Sequence, residues 1–286
     1  MASTDRSFDI GSIRCTVLHD GNKLYEPDVV FANAPNDVWA PLVARRLDDE
    51  GSLPLPYQPV LLDDGGETVL VDAGTGPELA AWLEEPVGKA RAALEAHGVR
   101  TSDVDVVVIS HAHPDHIGGL TESTDDAGGS PAPVFANARH VIARTEWEYW
   151  HSKELSGPSA DMAPISLPRL DALDAAGLLE LVEDDAEVRP GIRTLATPGH
   201  TPGHTSVLVS SGVDTALIAG DAIMTEWSFA RPDWFAEPEV DPKAAVATRT
   251  AVLERAVAED LVVTAYHVPG IGRVRRVGNA FDLVPI

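Results

Sequence analysis

The chain has 286 residues, of which 44% are hydrophobic and 23% charged, and its formal net charge at pH 7 is −24. A negative charge of this size disfavours nucleic acid and anionic membranes as partners. Cys15 is the only cysteine, which excludes an intrachain disulfide bond, and no stretch approaches the ~20 apolar residues of a membrane span. Residues 1–10 lack the apolar segment of a secretory signal, so we expect a cytoplasmic protein.

The acidic residues are spread along the whole chain rather than gathered in one tail. Runs of them occur at Asp48-Asp49-Glu50, Asp125-Asp126 and Glu183-Asp184-Asp185. One interpretation is adaptation to a salt-rich cytoplasm, where ions screen the repulsion. The other is the composition of a GC-rich genome, and the sequence leaves both open.

Apolar, β-branched runs separated by turn residues predict strands along much of the chain. These strands are expected near residues 8–18, 58–62, 67–72, 104–110, 133–136, 139–143, 192–196, 205–211, 214–219, 261–265, 272–276 and 281–284. Helical periodicity predicts helices over 37–47, 77–97, 145–153 and 241–259. Asp241 is a suitable N-cap for the last of these, with proline at its first position.

Two segments have loop-like composition. Residues 21–58 are polar and rich in proline, apart from the helix expected at 37–47. A loop of this length covers a cleft, docks a second subunit or is a surface excursion, and the sequence leaves these alternatives open. The composition of residues 122–133 predicts an acidic loop.

The strand expected at 104–110 leads into six residues rich in metal-ligand side chains, His111-Ala-His113-Pro-Asp115-His116. A loop at the end of a strand is where a rigid scaffold can aim side chains into a cleft. His111 and His113 can bind one ion from alternate positions, while Asp115 and His116 face a second. Imidazole and carboxylate groups suit zinc and similar first-row ions.

Three later strands also end in residues of this kind. His200 lies in the turn Thr197-Pro-Gly-His200 after the strand at 192–196, Asp221 follows the strand at 214–219, and His267 follows the strand at 261–265. Prolines and glycines make such turns tight and fixed. Because all these ligands must converge on one site, we expect a single domain over residues 1–286.

These four motifs, in this order, resemble those of the metallo-β-lactamase fold superfamily. The resemblance implies an α/β (α+β) fold, a four-layer αββα sandwich of two mixed β-sheets flanked by helices. It also implies two divalent metal ions per chain, with zinc expected and manganese, iron or cobalt as alternatives. One ion is expected on His111, His113 and His200, and the other on Asp115, His116 and His267, with Asp221 bridging both.

The resemblance also suggests roles for residues around the ligands. Asp72, in the early turn Val71-Asp72-Ala-Gly74, is expected to support the site or to be a plain turn residue. His204 is expected to be a hydrogen-bonded structural residue rather than a ligand. Four other histidines have no matching context: His19, His97, His140 and His151.

The last third of the chain is similar to the branch of this superfamily that holds methyl parathion hydrolase and related lactonases and esterases. The similarity lies in residues 227–234, 241–245 and 267–274. Quorum-quenching lactonases of a neighbouring branch carry a tyrosine three residues after the bridging Asp, where this chain has Met224. The neighbouring aromatic residues are expected to line an apolar pocket or to pack in the core or at a dimer contact: Trp227, Phe229, Trp234 and Phe235.

The leading hypothesis is a dinuclear metal-dependent hydrolase that cleaves a small-molecule lactone, ester or phosphotriester with a metal-bridging hydroxide. Asp115 and Asp221 are its expected catalytic residues. One alternative is a mononuclear iron persulfide dioxygenase of the same fold, and another is a non-catalytic metal-binding protein. A homodimer is compatible with the sequence, which does not determine the oligomeric state.

Overall fold

The computed structural model describes residues 5–123 and 131–286 of the chain. The strands within them are β1 Arg6–Ile10, β2 Ile13–Val17, β3 Gly21–Tyr25, β4 Leu53–Tyr57, β5 Val60–Asp63, β6 Val69–Val71, β7 Val106–Val108, β8 Thr121–Ser123, β9 Pro131–Pro133, β10 Arg139–Ala143, β11 Leu179–Val182, β12 Glu187–Arg189, β13 Ile192–Ala196, β14 Thr205–Ser211, β15 Asp214–Ile218, β16 Val262–Thr264, β17 Ile271–Val277 and β18 Ala280–Pro285.

The helices of the same residues are α1 Pro27–Val30, α2 Asn36–Val43, α3 Pro77–Leu83, α4 Ala90–Ala96, α5 Pro114–Ile117, α6 Arg144–Trp150, α7 Gly157–Ala175, α8 Trp227–Ala230 and α9 Pro242–Ala258. Short 3₁₀ turns cover Thr101–Asp103, Gly118–Leu120 and Gly220–Ala222. None of the helices in the described ranges is long and apolar enough to cross a membrane.

The strands form two mixed seven-stranded sheets, ordered β1-β2-β5-β6-β7-β10-β11 and β12-β13-β14-β15-β16-β17-β18. Their core strands are apolar on both faces, because each face packs on a different layer. Val106 and Val108 of β7 join Ala216 and Ile218 of β15 in the core between the sheets. Val107 instead packs in the cluster that holds residues of α4, α6 and α7.

On the outer face of the second sheet, Leu217 and Val263 pack against Val252 and Leu253 of α9. Helices therefore cover both outer faces of the paired sheets. This is the αββα sandwich that the sequence predicts.

The strand directions place the ligand-type residues at one edge of the sandwich. β6, β7 and β10 are mutually parallel, as are β15 and β16 in the other sheet. A hydrogen bond of 2.9 Å from the Thr205 amide to the Ser110 carbonyl joins the two sheets where β7 ends and β14 begins. The loops after β7, β13, β15 and β16 thus converge.

Several elements differ from the sequence predictions. Residues 8–18 form a hairpin, β1 and β2, rather than one strand, and the helix expected over 77–97 is divided into α3 and α4. The prediction of a strand near 133–136 was wrong, since β9 ends at Pro133 and the chain then turns. Residues 21–25 and 53–57 pair as a two-stranded sheet, and the 19-residue helix α7 has no counterpart among the predicted elements. Residues 124–130 of the expected acidic loop lie outside the described residues.

Candidate metal centre

The loop after β7 is held by hydrogen bonds to its backbone. The Ala112 amide donates to Glu146 of α6 at 2.9 Å, and the Ala112 carbonyl accepts from the Ser166 hydroxyl of α7 at 2.6 Å. With the peptide fixed on both sides, His111 and His113 project into the interior, where their side chains are 0% and 4% exposed. α5 begins at Pro114 and brings Asp115 and His116 to the same place.

The turn that carries His200 fits tightly between two helices. A Cβ at Gly199 would lie 2.2 Å from the Ala245 nitrogen of α9, and one at Gly203 would lie 2.1 Å from the Glu146 nitrogen of α6. Gly199 also has a φ of +135°, which side chains disfavour. These two glycines therefore let the turn approach both helix backbones and place His200 opposite His113.

All seven predicted ligands meet in one cluster. One group of three comprises His111, His113 and His200, a second comprises Asp115, His116 and His267, and in each group the candidate ligand atoms lie within 4.8 Å of one another. Asp221 lies between the groups, with Oδ2 3.2 Å from His200 Nε2 and 3.3 Å from His267 Nε2. Its Oδ1 lies 3.4 Å from His116 Nε2.

The donor atoms of the cluster have the properties that a metal ion requires. His111 Nε2, His116 Nε2 and Asp221 Oδ1 are buried without a hydrogen-bond partner, which is costly unless something else binds them. Burial and the neighbouring imidazoles hold the pKa of His111 well below its usual value, and burial lowers the pKa of His113 to about 3. Both rings are therefore neutral at pH 7, as ligands must be.

The two carboxylates of the cluster differ in their surroundings. Burial raises the pKa of Asp115, against the lowering effect of His116 and His267. At Asp221 burial also favours the neutral form, but three histidines outweigh it and the pKa lies well below its usual value. Asp221 is thus the firmly ionised carboxylate at the centre, while Asp115 lies at the margin, with a side chain 18% exposed.

Asp72 supports the cluster from behind. Its carboxylate accepts hydrogen bonds of 2.8 Å from the Ser110 amide, the Ser110 hydroxyl and His116 Nδ1. Since His116 Nδ1 donates, the lone pair of His116 lies on Nε2, which faces Asp221 and Asp115. Asp72 adopts a left-handed φ of 60°, the conformation of the turn that brings it there. The contacts support the positioning role among the two interpretations of Asp72.

His204 is hydrogen-bonded on both ring nitrogens. Its Nε2 accepts from the Asp221 amide at 3.0 Å, and its Nδ1 lies 2.8 Å from the Thr197 hydroxyl. With both nitrogens engaged, the ring holds Asp221 in place and has no free lone pair for a metal ion. This is the structural role that the sequence suggests.

His267 is oriented by residues from the first sixty positions of the chain. Its Nδ1 donates to the Pro56 carbonyl of β4 at 3.2 Å, which directs Nε2 to Asp115 and Asp221. Gln58 donates to the carbonyls on either side of His267, at 3.2 Å to Tyr266 and 2.7 Å to Val268. The Tyr266 hydroxyl in turn donates to the Asp115 carbonyl at 2.7 Å.

A cavity of about 360 Å³ opens beside the cluster, and Asp115, His113, His200, Asp221 and His267 line its floor. Much of its wall comes from residues 21–58, so this segment covers the cleft, one of the three alternatives that its composition allowed. The other wall residues are mostly apolar and come from four further parts of the chain: Leu83, Val87, Met162, Ile165, Met224 and Ala236.

Two tyrosines are the main neutral polar groups of the wall. The hydroxyls of Tyr25 and Tyr57 are hydrogen-bonded at 2.7 Å, and both rings pack near His267, with centroid distances of 6.5 Å and 5.0 Å. Burial holds the pKa of both hydroxyls well above the usual value. Both therefore keep their protons at neutral pH. In such a pair one hydroxyl donates to the other, which leaves one O–H free for another acceptor.

The aromatic residues after Asp221 do not form the wall. Trp234 packs with Phe31 and Trp39 under the 21–58 segment, and Trp227 joins the same cluster. Phe229 lies in the core beneath α9, and Phe235 is half-buried outside the cavity lining. The pocket interpretation of these four residues was wrong, and core packing accounts for three of them.

Three residues of the site were missed by sequence reasoning: Glu146, Gln58 and Tyr57. Glu146 lies four residues before the fully buried Trp150 on α6, so a charged residue on the apolar face of the helix was an available signal. Gln58 and Tyr57 follow a proline-rich stretch whose strand character the composition hides. Nothing local in the sequence indicates their contacts with residues 265–268.

Three comparisons with known proteins bear on this site. The sequence model of the metallo-β-lactamase superfamily matches residues 54–267. An N-acyl homoserine lactonase of a Bacillus species is 33% identical over 138 residues, 48% of this chain and 45% of that protein. A probable metallo-hydrolase of Bacillus subtilis (strain 168), YflN, is 30% identical over 163 residues, 55% of this chain and 56% of that protein. The chain thus spans about half the length of the curated relatives it matches.

Solved structures with the same architecture cover nearly the whole chain. A hydrolase of the β-lactamase superfamily, AbOPH, has a TM-score of 0.89 at 21% identity and covers 100% of this chain and 98% of its own. AidC, a dizinc quorum-quenching lactonase in complex with a product, has a TM-score of 0.86 at 22% identity and covers 99% and 97%. At these identities the likeness establishes the fold.

Proposed function

Because the chain belongs to the metallo-β-lactamase superfamily, we propose that it is a hydrolase with two divalent metal ions that cleaves a small-molecule lactone, ester or phosphotriester. One observation carries the proposal: the Asp221 carboxylate lies within 3.4 Å of nitrogens from two separate ligand groups. A single carboxylate between two such groups suits a shared ligand of a two-ion site. We propose further that residues 1–286 form a single domain.

The proposed ligands are those that the sequence suggested: His111, His113 and His200 for one ion, Asp115, His116 and His267 for the other, and Asp221 for both. Buried imidazole nitrogens without hydrogen-bond partners fit zinc, which the dizinc lactonase of the same fold also supports. Two ions bound there would supply Lewis-acid stabilisation and a water of lowered pKa. The residues of the chain then hold, orient and protonate the substrate.

Asp115 and Asp221 are the proposed catalytic carboxylates. Asp221 keeps its negative charge at the centre of the cluster and fixes the spacing of the two groups. Asp115 lines the cavity floor. Its side chain is 18% exposed, so it is the carboxylate of the cluster that can reach a bound substrate and exchange a proton with it.

The cavity wall selects the substrate by shape and apolarity. Its apolar residues exclude water and favour an organic substituent over a charged one. Met224 offers no hydroxyl to a leaving group, but Tyr25 and Tyr57 also line the cavity, and their pair has one O–H left for another acceptor. We propose that this pair donates a hydrogen bond to an oxygen of the bound substrate.

The alternatives are less well supported. A mononuclear dioxygenase needs one ion, whereas the Asp115, His116 and His267 group offers a complete second set of ligands. A non-catalytic binding protein does not need an apolar cavity directly over the ligands. The lactonase relatives favour hydrolysis, and within it they favour a lactone substrate.

The experiment is to assay zinc-loaded protein against matched lactones, aryl esters and phosphotriesters with apolar substituents. We expect turnover of at least one class, its loss with a chelator and its return with added zinc. Asp221→Asn is the negative control, and Asp233→Asn, an exposed carboxylate 59% accessible at the surface, is the matched positive control. Absence of turnover for all three classes by protein that holds two ions would contradict hydrolysis and leave the binding alternative.

A further inference from the structure

Glu146 is a fully buried carboxylate that the proposed chemistry does not use. It lies on α6 and is 0% exposed. A carboxylate removed from water is costly unless hydrogen bonds satisfy it. Four groups do so, and three of them belong to the loops that carry the proposed metal ligands.

The contacts are divided between the two carboxylate oxygens. Oε1 accepts from the Ala112 amide at 2.9 Å and from Trp150 Nε1 at 2.7 Å. Oε2 accepts from the Gly203 amide at 3.1 Å and from the Thr201 hydroxyl at 2.6 Å. One carboxylate therefore joins the peptide between His111 and His113 to the turn that carries His200.

Three of the four donors can only donate: the two amides and the indole N–H. Protonation of either carboxylate oxygen would place an O–H against one of them. The arrangement therefore fits the ionised form, although burial favours the neutral form and raises the pKa of Glu146.

The close packing of α6 shows that the contact is built into the fold. Gly203 leaves no room for a Cβ, which would lie 2.1 Å from the Glu146 nitrogen. The Trp150 ring, four residues along α6, packs edge-on against His113 with a centroid distance of 5.9 Å. Glu146 and Trp150 thus brace the same histidine loop from one helix.

We propose that Glu146 is a positioning residue that couples the two ligand loops, so that His111, His113 and His200 form one preorganised three-histidine site. This inference rests on the proposed metal centre. The second group, Asp115, His116 and His267, has its own supports in Asp72, Tyr266 and Pro56. Loss of Glu146 should therefore weaken one ion site and leave the other largely intact.

Glu146→Gln tests the coupling with almost no change of shape. A glutamine has one acceptor oxygen and one NH₂ group, so the NH₂ must face at least one obligate donor. The NH₂ group is placed at lower cost on the Oε2 side, which has only one obligate donor, the Gly203 amide. On that side the Thr201 hydroxyl can rotate and accept a hydrogen bond from the NH₂ group. We expect the His200 turn to loosen.

The first measurement is cobalt(II) binding to metal-free protein in competition with a chelating dye. Outer contacts of this kind typically change metal affinity by about 10–100-fold. In Glu146→Gln we expect one of the two dissociation constants to rise by that factor and the other by less than about threefold. In the His116→Ala background, which keeps the three-histidine group, the remaining constant should rise with Glu146→Gln by the same factor.

Two controls separate positioning from loss of charge or of stability. Glu148→Gln removes the same charge from an exposed position two residues along α6. Leu94→Ala removes a fully buried side chain of α4 from the cluster that also holds Trp150, and it lowers the melting temperature without removing a hydrogen bond to either loop. Neither should raise a cobalt dissociation constant by more than about threefold.

A second measurement needs no metal ion. In metal-free protein, hydrogen exchange over residues 110–113 and 200–204 should become faster together in Glu146→Gln and not in Leu94→Ala. If the two segments do not respond together, or if both cobalt constants rise equally, the coupling role is contradicted. Wild-type protein that binds fewer than two ions would contradict the proposed function instead, and the exchange result would still decide the role of Glu146.

Discussion

The loops that carry the proposed ligands and the segments that wall the cavity are stabilised by different interactions. The ligand loops are held by buried polar contacts: Asp72 on His116, His204 on Asp221 and Glu146 on two backbones. The wall relies on apolar packing, as where Trp39 and Trp234 enclose Phe31. Hydrogen bonds are directional and specify a geometry, whereas apolar contacts tolerate exchange of side chains of similar volume.

This difference suggests that the ligand loops and the cavity wall have different roles. The ligand loops fix the positions of reacting groups, where small displacements are costly. The wall can change its shape at low cost to stability, which is where substrate preference is expected to vary. The predictions below test that division, beginning with the largest expected effect.

Asp221→Asn should have the largest effect, because it removes the ionised carboxylate between the two ligand groups. We expect kcat/KM to fall by at least about 10³-fold, in line with the loss of a preorganised charge at a reacting centre. The measurement is steady-state kinetics together with metal content. A loss of less than tenfold, with both ions retained, would remove Asp221 from the proposed mechanism.

Arg249→Met should have the next largest effect, on the stability of the packing behind the cavity wall, because Arg249 is fully buried and forms an ion pair with the buried Glu239. Arg249 is 0% exposed and donates to the carbonyls of Ala222 at 3.0 Å and Trp234 at 2.6 Å, and to the Glu239 carboxylate. Leaving Glu239 buried without its partner should cost about 3–5 kcal/mol of unfolding free energy.

The measurement for Arg249→Met is denaturant unfolding, with Arg255→Met as control. Arg255 forms an exposed ion pair with Glu259 at 2.9 Å, and its loss should cost less than about 1 kcal/mol. The double variant Arg249→Met with Glu239→Gln should recover part of the loss. Equal effects of the two arginine substitutions would contradict the role of the buried pair.

His140 contrasts with the histidines of the cluster, since it is fully buried on β10 and its ring lies near backbone groups of Ala138 and Leu178 rather than near carboxylates. Burial lowers its pKa to about 4 from the usual 6.5. Between these values the unfolded chain binds a proton that the folded protein does not. The contribution of His140 to the free energy of unfolding is therefore fully present above pH 6.5. It is lost as the pH drops towards 4, which lowers the free energy of unfolding by about 3 kcal/mol.

His140→Leu should remove that part of the pH dependence, while the other histidines titrate equally in both proteins. The measurement is the unfolding free energy from pH 7 to pH 4.5 for the wild type and the variant. The wild type should lose more stability than the variant over this range. Parallel curves would show that His140 does not titrate as its burial indicates.

Tyr25→Phe should have the smallest effect, and one that depends on the substrate. Proton donation to a leaving group contributes ~10²–10⁴-fold only where the leaving group is poor. We expect kcat/KM for alkyl esters to fall by about 10²-fold and for activated aryl esters by less than threefold. Tyr25→Phe should therefore steepen a plot of log kcat/KM against leaving-group pKa, whereas an unchanged slope would exclude Tyr25 as the donor.

The ligand loops were predictable from the sequence because their pattern is local. An apolar strand followed at once by His111 or His267 places a candidate ligand at a sheet edge, and the fold brings those edges together. The wall was not predictable, because its elements break local rules. α7 contains Pro164 and Pro168, and prolines inside a helix normally oppose it.

β4 shows the same effect, since Pro54 and Pro56 conceal a strand that pairs on one side with β3 in a two-stranded sheet. An edge position tolerates the missing amide hydrogens. Glu146 was missed for a different reason. Three of its four donors lie 34 to 57 residues away in the chain, and no local pattern records those three contacts.

The central claim is that the chain binds two metal ions, and elemental analysis of protein prepared without chelator tests it most directly. The wild type should contain about two zinc-like ions per chain. His116→Ala should lose one of them first, because His116 groups with Asp115 and His267 and is not part of the group of His111, His113 and His200. A single iron per chain, or fewer than about one and a half ions of any kind, would contradict the account.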